Sequence, residues 1–112
     1  MLTLPDLEMP TMNKRVKKER IRDLYEAVLQ LRSVEECMKF FDDLCTVTEL
    51  QAMEQRFQVA EMLHRGLIYT DILEKTGASS ATISRVSRSL RSGADGYAIV
   101  FERLGIPGAE DE

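Results

Sequence analysis

The sequence is poor in the residues from which catalytic and metal sites are built. Its 112 residues include a single histidine, two cysteines and no tryptophan. Two cysteines and the lone His64 do not make up the four-ligand set of a structural zinc site. The chain also lacks a G-x-S-x-G nucleophile motif and a glycine-rich loop that would hold a phosphate. We therefore expect no enzyme, no bound metal and no cofactor.

The cysteines and the hydrophobic runs indicate a soluble, cytoplasmic protein. Cys37 and Cys45 have no secretory segment before them, so we expect reduced thiols that fill core space rather than a disulfide. No run is long and apolar enough to cross a bilayer, which needs about 20 such residues. With 44% hydrophobic residues the chain can bury the core of one domain. A domain this small is marginally stable unless it packs very well or oligomerises.

Charge is divided unevenly along the chain, whose formal net charge is −4. Residues 64–92 carry five basic and two acidic residues, and residues 14–31 carry six basic and three acidic ones. A polyanion responds to the local field, because salt screens charges beyond about 10 Å. Both basic stretches are therefore candidates for contact with nucleic acid. For residues 14–22 a solvated helix end is the simpler interpretation.

Hydrophobic periodicity predicts one all-α domain over residues 14–104, between a disordered leader (1–13) and an acidic tail (105–112). The first helix is expected over about 17–31. Two capping boxes predict the next helix starts, and they consist of Ser33 with Glu36 and Thr46 with Glu49. The third helix is apolar on more than one side, which indicates a second covering surface. Asp95 is expected to cap a short apolar last helix that ends at Gly105.

The stretch 69–91, YTDILEKTGASSATISRVSRSLR, has the pattern of a helix-turn-helix. Thr70 can cap the first helix. Gly77 can end that helix, because glycine adopts positive φ without a Cβ clash. Ser79 or Ser80 can cap the second helix by accepting a hydrogen bond from a free backbone N–H.

The second helix of this pattern has an apolar side and a polar side. Apolar residues at helical spacing are expected to face the core, namely Ile83, Val86 and Leu90. The opposite side, at spacing i, i+3, i+4, i+7, consists of Ala81, Ser84, Arg85 and Arg88. Small side chains let a helix approach a DNA major groove closely, and arginines reach guanine edges or phosphates. An ordinary helical hairpin with a solvated outer helix has the same pattern, so both interpretations stay open on the pattern alone.

The residues of this helix closely resemble the recognition region of the Trp repressor. The matching residues are Gly77-Ala78, the run from Ala81 to Arg85, and Ser87, Ser89, Leu90 and Arg91. Upstream, the resemblance extends through Thr46, Glu49, Ala52, Arg56, Glu61, Leu63, Arg65 and Gly66. From about residue 14 to 104 the chain resembles the YerC/YecD-type branch of the Trp repressor superfamily. The resemblance implies a six-helix chain with a helix-turn-helix that intertwines with a second copy into a homodimer, whose two reading heads lie roughly 34 Å apart.

The resemblance also implies a function. It predicts a sequence-specific transcriptional regulator, a repressor, that binds double-stranded DNA with the helix over about 80–91 in the major groove. The residues predicted to contact DNA are Thr70, Ser79, Ser80, Ala81, Thr82, Ser84, Arg85 and Arg88. Thr70 and Leu73 stand where the Trp repressor has basic residues. Fewer phosphate contacts should make DNA binding weaker than in that protein.

A small-molecule effector is a further expectation from the resemblance. The residues that match the corepressor pocket are Thr46, Arg56, Arg85 and Ser89. The two arginines can hold a carboxylate, although Arg56 can equally be a surface or ion-paired arginine. Val86 replaces the pocket glycine that makes room for indole, and its isopropyl group should crowd a flat bicyclic ring. We therefore expect an effector other than tryptophan, or none.

One alternative function stays open at this point. The helix-turn-helix surface, or the acidic region 32–63, can instead dock on another protein without touching DNA. Salt dependence distinguishes the two, because neutralising phosphates makes binding steeply dependent on salt concentration.

Overall fold

The computed structural model describes residues 22–109, which form six helices and no strand. This confirms the prediction of an all-α, six-helix chain. In chain order the helices are α1 (described over 22–28), α2 (Val34–Leu44), α3 (Val47–His64), α4 (Tyr69–Thr76), α5 (Ser80–Ser92) and α6 (Gly96–Leu104). The predicted leader 1–13, the basic residues up to Arg20 and the tail residues 110–112 lie outside the described residues. Within 22–109, none of the helices combines the length and the hydrophobicity that crossing a membrane requires.

The described residues form two compact units that divide between Leu44 and Cys45. The first unit contains α1 and α2, and none of its described side chains is buried. Val34 on α2 is 74% exposed, although α2 is strongly amphipathic. Phe40 and Phe41 are in edge-to-face contact, with ring centroids 5.5 Å apart. The apolar side of α2 is thus only partly covered, since Cys37, Phe40 and Phe41 are half-buried. The predicted single domain over 14–104 stays a prediction.

The second unit packs α3, α4, α5 and α6 around one apolar core. Its buried residues are Val59, Ala60, Ile72, Ala78, Ile83, Val86 and Phe101. Ile83 and Val86 face inward as predicted, and Leu90 is half-buried against the same core. Burial of α3 is confined to its carboxyl-terminal half, whereas Val47 in its first turn is 72% exposed. The apolar surface that the sequence predicted on α3 is therefore only partly covered within one chain.

The two predicted capping boxes differ in the structure. At α3 the box is complete, because Thr46 Oγ1 accepts from the Glu49 N–H at 3.1 Å and the Glu49 carboxylate accepts from the Thr46 N–H at 2.9 Å. At α2, Ser33 Oγ accepts from the Glu36 N–H at 3.1 Å, but the Glu36 carboxylate accepts from the Arg32 N–H at 2.8 Å. The start of α2 is therefore held by a glutamate that reaches one residue farther back than the motif predicts.

Two predicted caps are wrong. The Ile72 N–H donates to the Ile68 carbonyl at 3.1 Å, so α4 begins at Tyr69 and Thr70 lies inside its first turn. The residue at the cap position, Ile68, has no side-chain acceptor. Asp95 does occupy the cap position of α6, but its backbone is left-handed, with φ 70° and ψ 10°, and its side chain makes no capping hydrogen bond. Both helix starts depend on packing and backbone geometry rather than on a polar cap.

Replacing Gly77 by alanine should destabilise the fold because of backbone strain alone. Its φ is 72°, and a Cβ there would have nothing within 4 Å, so a clash contributes nothing. Holding an L-residue in the left-handed region costs about 1–2 kcal/mol. Gly77→Ala should lower the free energy of unfolding by that amount in urea denaturation.

The matched control is Gly96→Ala, since Gly96 also has open space around it but no positive φ. Its free energy of unfolding should stay unchanged or rise by up to about 1 kcal/mol. Equal losses in the two variants would show that backbone conformation is not the cause.

Candidate nucleic-acid interface

A short turn over residues 77–79 connects α4 to α5. Gly77 has φ 72° and ψ 7°, and its N–H donates to the Leu73 carbonyl at 2.9 Å, which ends α4 as predicted. The N–H of the next residue, Ala78, donates to Thr76 Oγ1 at 3.1 Å. The Ala78 side chain is buried in the core, so the turn is anchored at its centre. The chain therefore reverses within three residues and brings α5 back against α3.

Ser79, rather than Ser80, caps α5. Ser79 has an extended backbone, and its Oγ accepts from the Thr82 N–H at 3.1 Å. The same hydroxyl donates to Thr82 Oγ1, also at 3.1 Å. Ser80 is the first helical residue and is exposed. The first turn of α5 is thus closed by its own side chains, while Ser80 stays accessible.

The predicted polar side of α5 faces solvent. Ala81, Ser84, Arg85 and Arg88 are all exposed. Ile83 and Val86 on the opposite side are 0% and 2% exposed. The core therefore fixes which side of α5 points outward.

Arg85 and Arg88 have no acidic partner among the described residues. The ion pairs within residues 22–109 are Arg22–Glu26 and Arg65–Glu61, and neither involves α5. Elsewhere on α5, the Arg91 guanidinium donates to Ser87 Oγ at 2.8 Å. Two exposed guanidinium groups on one rigid helix face thus remain available to an anionic ligand.

The other predicted DNA-contact residues lie around this face. Thr70 is exposed in the first turn of α4, and Ser79 is exposed at the turn. Thr82 is half-buried, with its hydroxyl oxygen already bonded to Ser79. Exposure of these residues is compatible with the predicted interface, and their individual contacts with DNA stay predictions.

A cleft of about 430 Å³ lies next to the carboxyl-terminal half of α5. Its wall includes three aromatic rings. Phe101 stacks with Tyr97 at 5.8 Å between centroids and lies 4.7 Å from the His64 ring, which is tilted by 35°. His64 Nε2 is 3.1 Å from the Ile106 carbonyl, which fixes Nε2–H as the donor because a carbonyl only accepts. Ser89 and Arg91 line the cleft from α5. A pocket of this volume is in the range of small-molecule sites.

The chain matches the family model for the Trp repressor protein over residues 19–105. It belongs to the Trp repressor family. This confirms the resemblance seen in the recognition helix, and the family is one of helix-turn-helix regulators.

Relatives and solved structures agree with this assignment. The uncharacterized protein YerC of Bacillus subtilis (strain 168) is 44% identical over 90 residues, which cover 80% of this chain and 86% of YerC. The crystal structure of a candidate Trp repressor from Staphylococcus aureus matches with a TM-score of 0.79 and 44% identity, covering 87% of this chain and 99% of that one. A TrpR-like protein from Eubacterium eligens ATCC 27750 matches with a TM-score of 0.78 and 50% identity, over 85% and 98% of the two chains.

The four residues predicted for an effector in this family member have separate surroundings. Thr46 Oγ1 is occupied as the cap of α3, whereas Arg56, Arg85 and Ser89 are exposed. No hydrogen bond or ion pair in the described part of the chain joins any two of the four. Ser89 is the member of the set that lines the cleft beside α5. Val86, a residue of α5, has its side chain packed in the core. Binding of an effector by this set stays a prediction.

The sequence interpretation missed Gln55, a half-buried residue of α3 whose side-chain amide donates to the Thr76 carbonyl at 3.1 Å. One signal was present in the sequence. Gln55 lies at helical spacing between Ala52 and Val59, on the apolar side of α3, where an amide needs a hydrogen-bond partner.

The cap of α5 gives a stability test that needs no DNA. Ser79→Ala should lower the free energy of unfolding by about 1 kcal/mol, because the Thr82 N–H loses its acceptor. The matched control is Ser80→Ala, which removes an exposed hydroxyl that makes no hydrogen bond and should change stability by less than about 0.5 kcal/mol. Urea denaturation of both variants measures the difference. A larger loss for Ser80→Ala would place the cap one residue later.

Proposed function

We propose that this member of the Trp repressor family is a sequence-specific DNA-binding transcriptional regulator, a repressor, that inserts α5 into the major groove. The observation that carries the proposal is the exposed side of α5, where Arg85 and Arg88 have no acidic partner in the described chain. The opposite side of the same helix is buried in the core, so the arginines are presented by a fixed element. A cytoplasmic location follows from this function.

The chemistry of α5 supports binding to a polyanion. The helix contains three arginines and no acidic residue, although the whole chain has a net charge of −4. Its amino terminus carries the positive end of the helix dipole, which favours a nearby phosphate. Ser80, Ala81 and Ser84 are small enough to let the helix backbone come close to base edges. In this proposal they read bases, while Thr82, Arg85 and Arg88 hold phosphates or guanines, with Thr70 and Ser79 at the margin.

The proposed active form is a homodimer. Several large apolar side chains are exposed in one chain: Val34 and Met38 on α2, Val47, Met53 and Phe57 on α3, and Ile99, Val100 and Leu104 on α6. Exposed apolar patches of this kind mark interfaces in soluble proteins. A second copy would cover them and would place two copies of α5 about one DNA turn, roughly 34 Å, apart.

An effector and a protein partner are secondary parts of the proposal. Thr46, Arg56, Arg85 and Ser89 remain the residues proposed for a small effector. We expect it not to be tryptophan, because Val86 stands where the Trp repressor has the glycine that makes room for indole. The exposed side of α5 also suits docking on another protein, which is the alternative function. Binding that is insensitive to salt would favour that alternative.

Removing the exposed arginines should abolish sequence-specific binding. The test is selection from pooled genomic duplexes at two salt concentrations, comparing wild type with the Arg85→Ala/Arg88→Ala variant. Wild type should enrich a palindrome that the double variant does not enrich. Arg88→Ala alone should weaken specific binding by about 1–3 kcal/mol if it contacts guanine in a bidentate manner.

The matched control is Arg103→Ala, which removes an exposed arginine near the end of α6 and should leave the enriched sequence unchanged. For each phosphate contact that the Arg85→Ala/Arg88→Ala variant loses, the slope of log affinity against log salt concentration should become shallower by about one. Unchanged affinity of the double variant would remove α5 from the interface.

The dimer is tested by light scattering at micromolar concentrations, where wild type should have twice the mass of one chain. Val100→Glu should shift the mass towards one chain, because a carboxylate would enter an apolar interface. Ala98→Glu adds the same charge to the same helix at an exposed position that lines the cleft, and it should leave the dimer intact. A monomeric wild type would overturn the intertwined dimer.

A further inference from the structure

We propose that Gln55 is a positioning residue that fixes the angle between α3 and the reading head, defined as residues 69–92. This inference rests on the proposed function, because it concerns how the head is aimed at DNA. Gln55 lies on α3, is half-buried, and donates from Nε2 to the Thr76 carbonyl at 3.1 Å. The acceptor is a carbonyl, so the orientation of the amide is set by the bond itself.

Thr76 connects this hydrogen bond to the turn. It is the last residue of α4, where carbonyl groups have no partner inside the helix. Gln55 supplies that partner. The Thr76 hydroxyl donates to the Ile72 carbonyl at 2.7 Å and accepts from the Ala78 N–H at 3.1 Å. Two hydrogen bonds to Thr76 therefore connect α3 with the first residue after Gly77, and a third bonds the Thr76 hydroxyl to the preceding turn of α4.

The Gln55 hydrogen bond is directional, whereas the rest of the contact between α3 and the reading head is not. The other packing of α3 against the head is apolar, with Val59 and Ala60 on α3 and Ile72, Ile83 and Val86 on the head. Apolar burial depends on area rather than on direction, so it permits small rotations at little cost. Among the described residues, the bond from Gln55 is the one side-chain hydrogen bond between α3 and residues 69–92.

The consequence concerns the spacing of DNA half-sites. In a dimer, the direction in which each α5 points is set by how each head sits on its own α3. The two copies of α5 bind two half-sites only if the spacing of the half-sites matches the distance between the helices. Loss of the Gln55 bond should therefore relax discrimination between spacings more than it lowers affinity for backbone phosphates.

The experiment compares wild type with Gln55→Met, which keeps similar length and helix propensity but cannot donate. The matched control is Gln58→Met, which alters an exposed glutamine of the same helix that makes no hydrogen bond. Each protein is titrated with the selected palindrome and with versions whose half-sites lie one base pair closer or farther apart. Gln55→Met should discriminate among these spacings about fivefold less than wild type, the factor expected for one hydrogen bond. Gln58→Met should match wild type.

A second readout needs no DNA. The Ala78 amide donates to the hydroxyl of Thr76, the residue that Gln55 holds. Its hydrogen exchange should be about fivefold faster in Gln55→Met than in wild type or in Gln58→Met. Gln55→Glu should have a similar effect, because a carboxylate would face the Thr76 carbonyl without a proton to share.

The outcomes separate this inference from the function on which it rests. If wild type binds its palindrome but Gln55→Met keeps full spacing discrimination, the positioning role is overturned while DNA binding stands. An equal loss of affinity at every spacing, with a lowered melting temperature, would show that Gln55 acts only on stability. If wild type enriches no palindrome, both proposals fail.

Discussion

The structure of the second unit depends on the burial of one side of α5 against α3. Ile83 and Val86 pack with Val59 and Ala60 in the core, and this contact decides which side of α5 faces inward. Because the apolar side must point inward, Ala81, Ser84, Arg85 and Arg88 must point outward. The chemistry of the candidate interface is therefore a consequence of hydrophobic packing on its reverse side.

The turn before α5 converts this packing into a defined reading head. Gly77 supplies the left-handed backbone, buried Ala78 anchors the turn in the core, and Ser79 closes the first turn of the helix. Gln55 adds a directional bond from α3 to the end of α4. Apolar contacts thus stabilise the arrangement, while a few hydrogen bonds restrict its geometry. Because apolar contacts on the buried side hold α5 in place, its exposed side can carry arginines.

Some large apolar side chains are buried in the core and others are exposed, so the stability of the chain is expected to depend on assembly. The core of the second unit is small, and the described residues of the first unit bury no side chain. Leu104 on α6 is 61% exposed although it lies in a strongly apolar helix. A chain of 112 residues has little spare hydrophobic stabilisation, so apolar surface of this extent is costly unless it is covered. Folding and dimer formation are therefore expected to be coupled in the proposed regulator.

The sequence by itself determined the approximate positions of the helices, the glycine turn, the complete capping box at Thr46 and the outward side of α5. These features depend on local periodicity and backbone preference. It also left Ser79 and Ser80 as equal candidates for a cap. Only the tertiary structure decided between them, moved the start of α4 to Tyr69, and left Asp95 without a capping bond. The contact of Gln55 with Thr76 was likewise beyond the sequence, since it joins residues 21 positions apart. Such contacts depend on how helices pack in three dimensions, which no local pattern records.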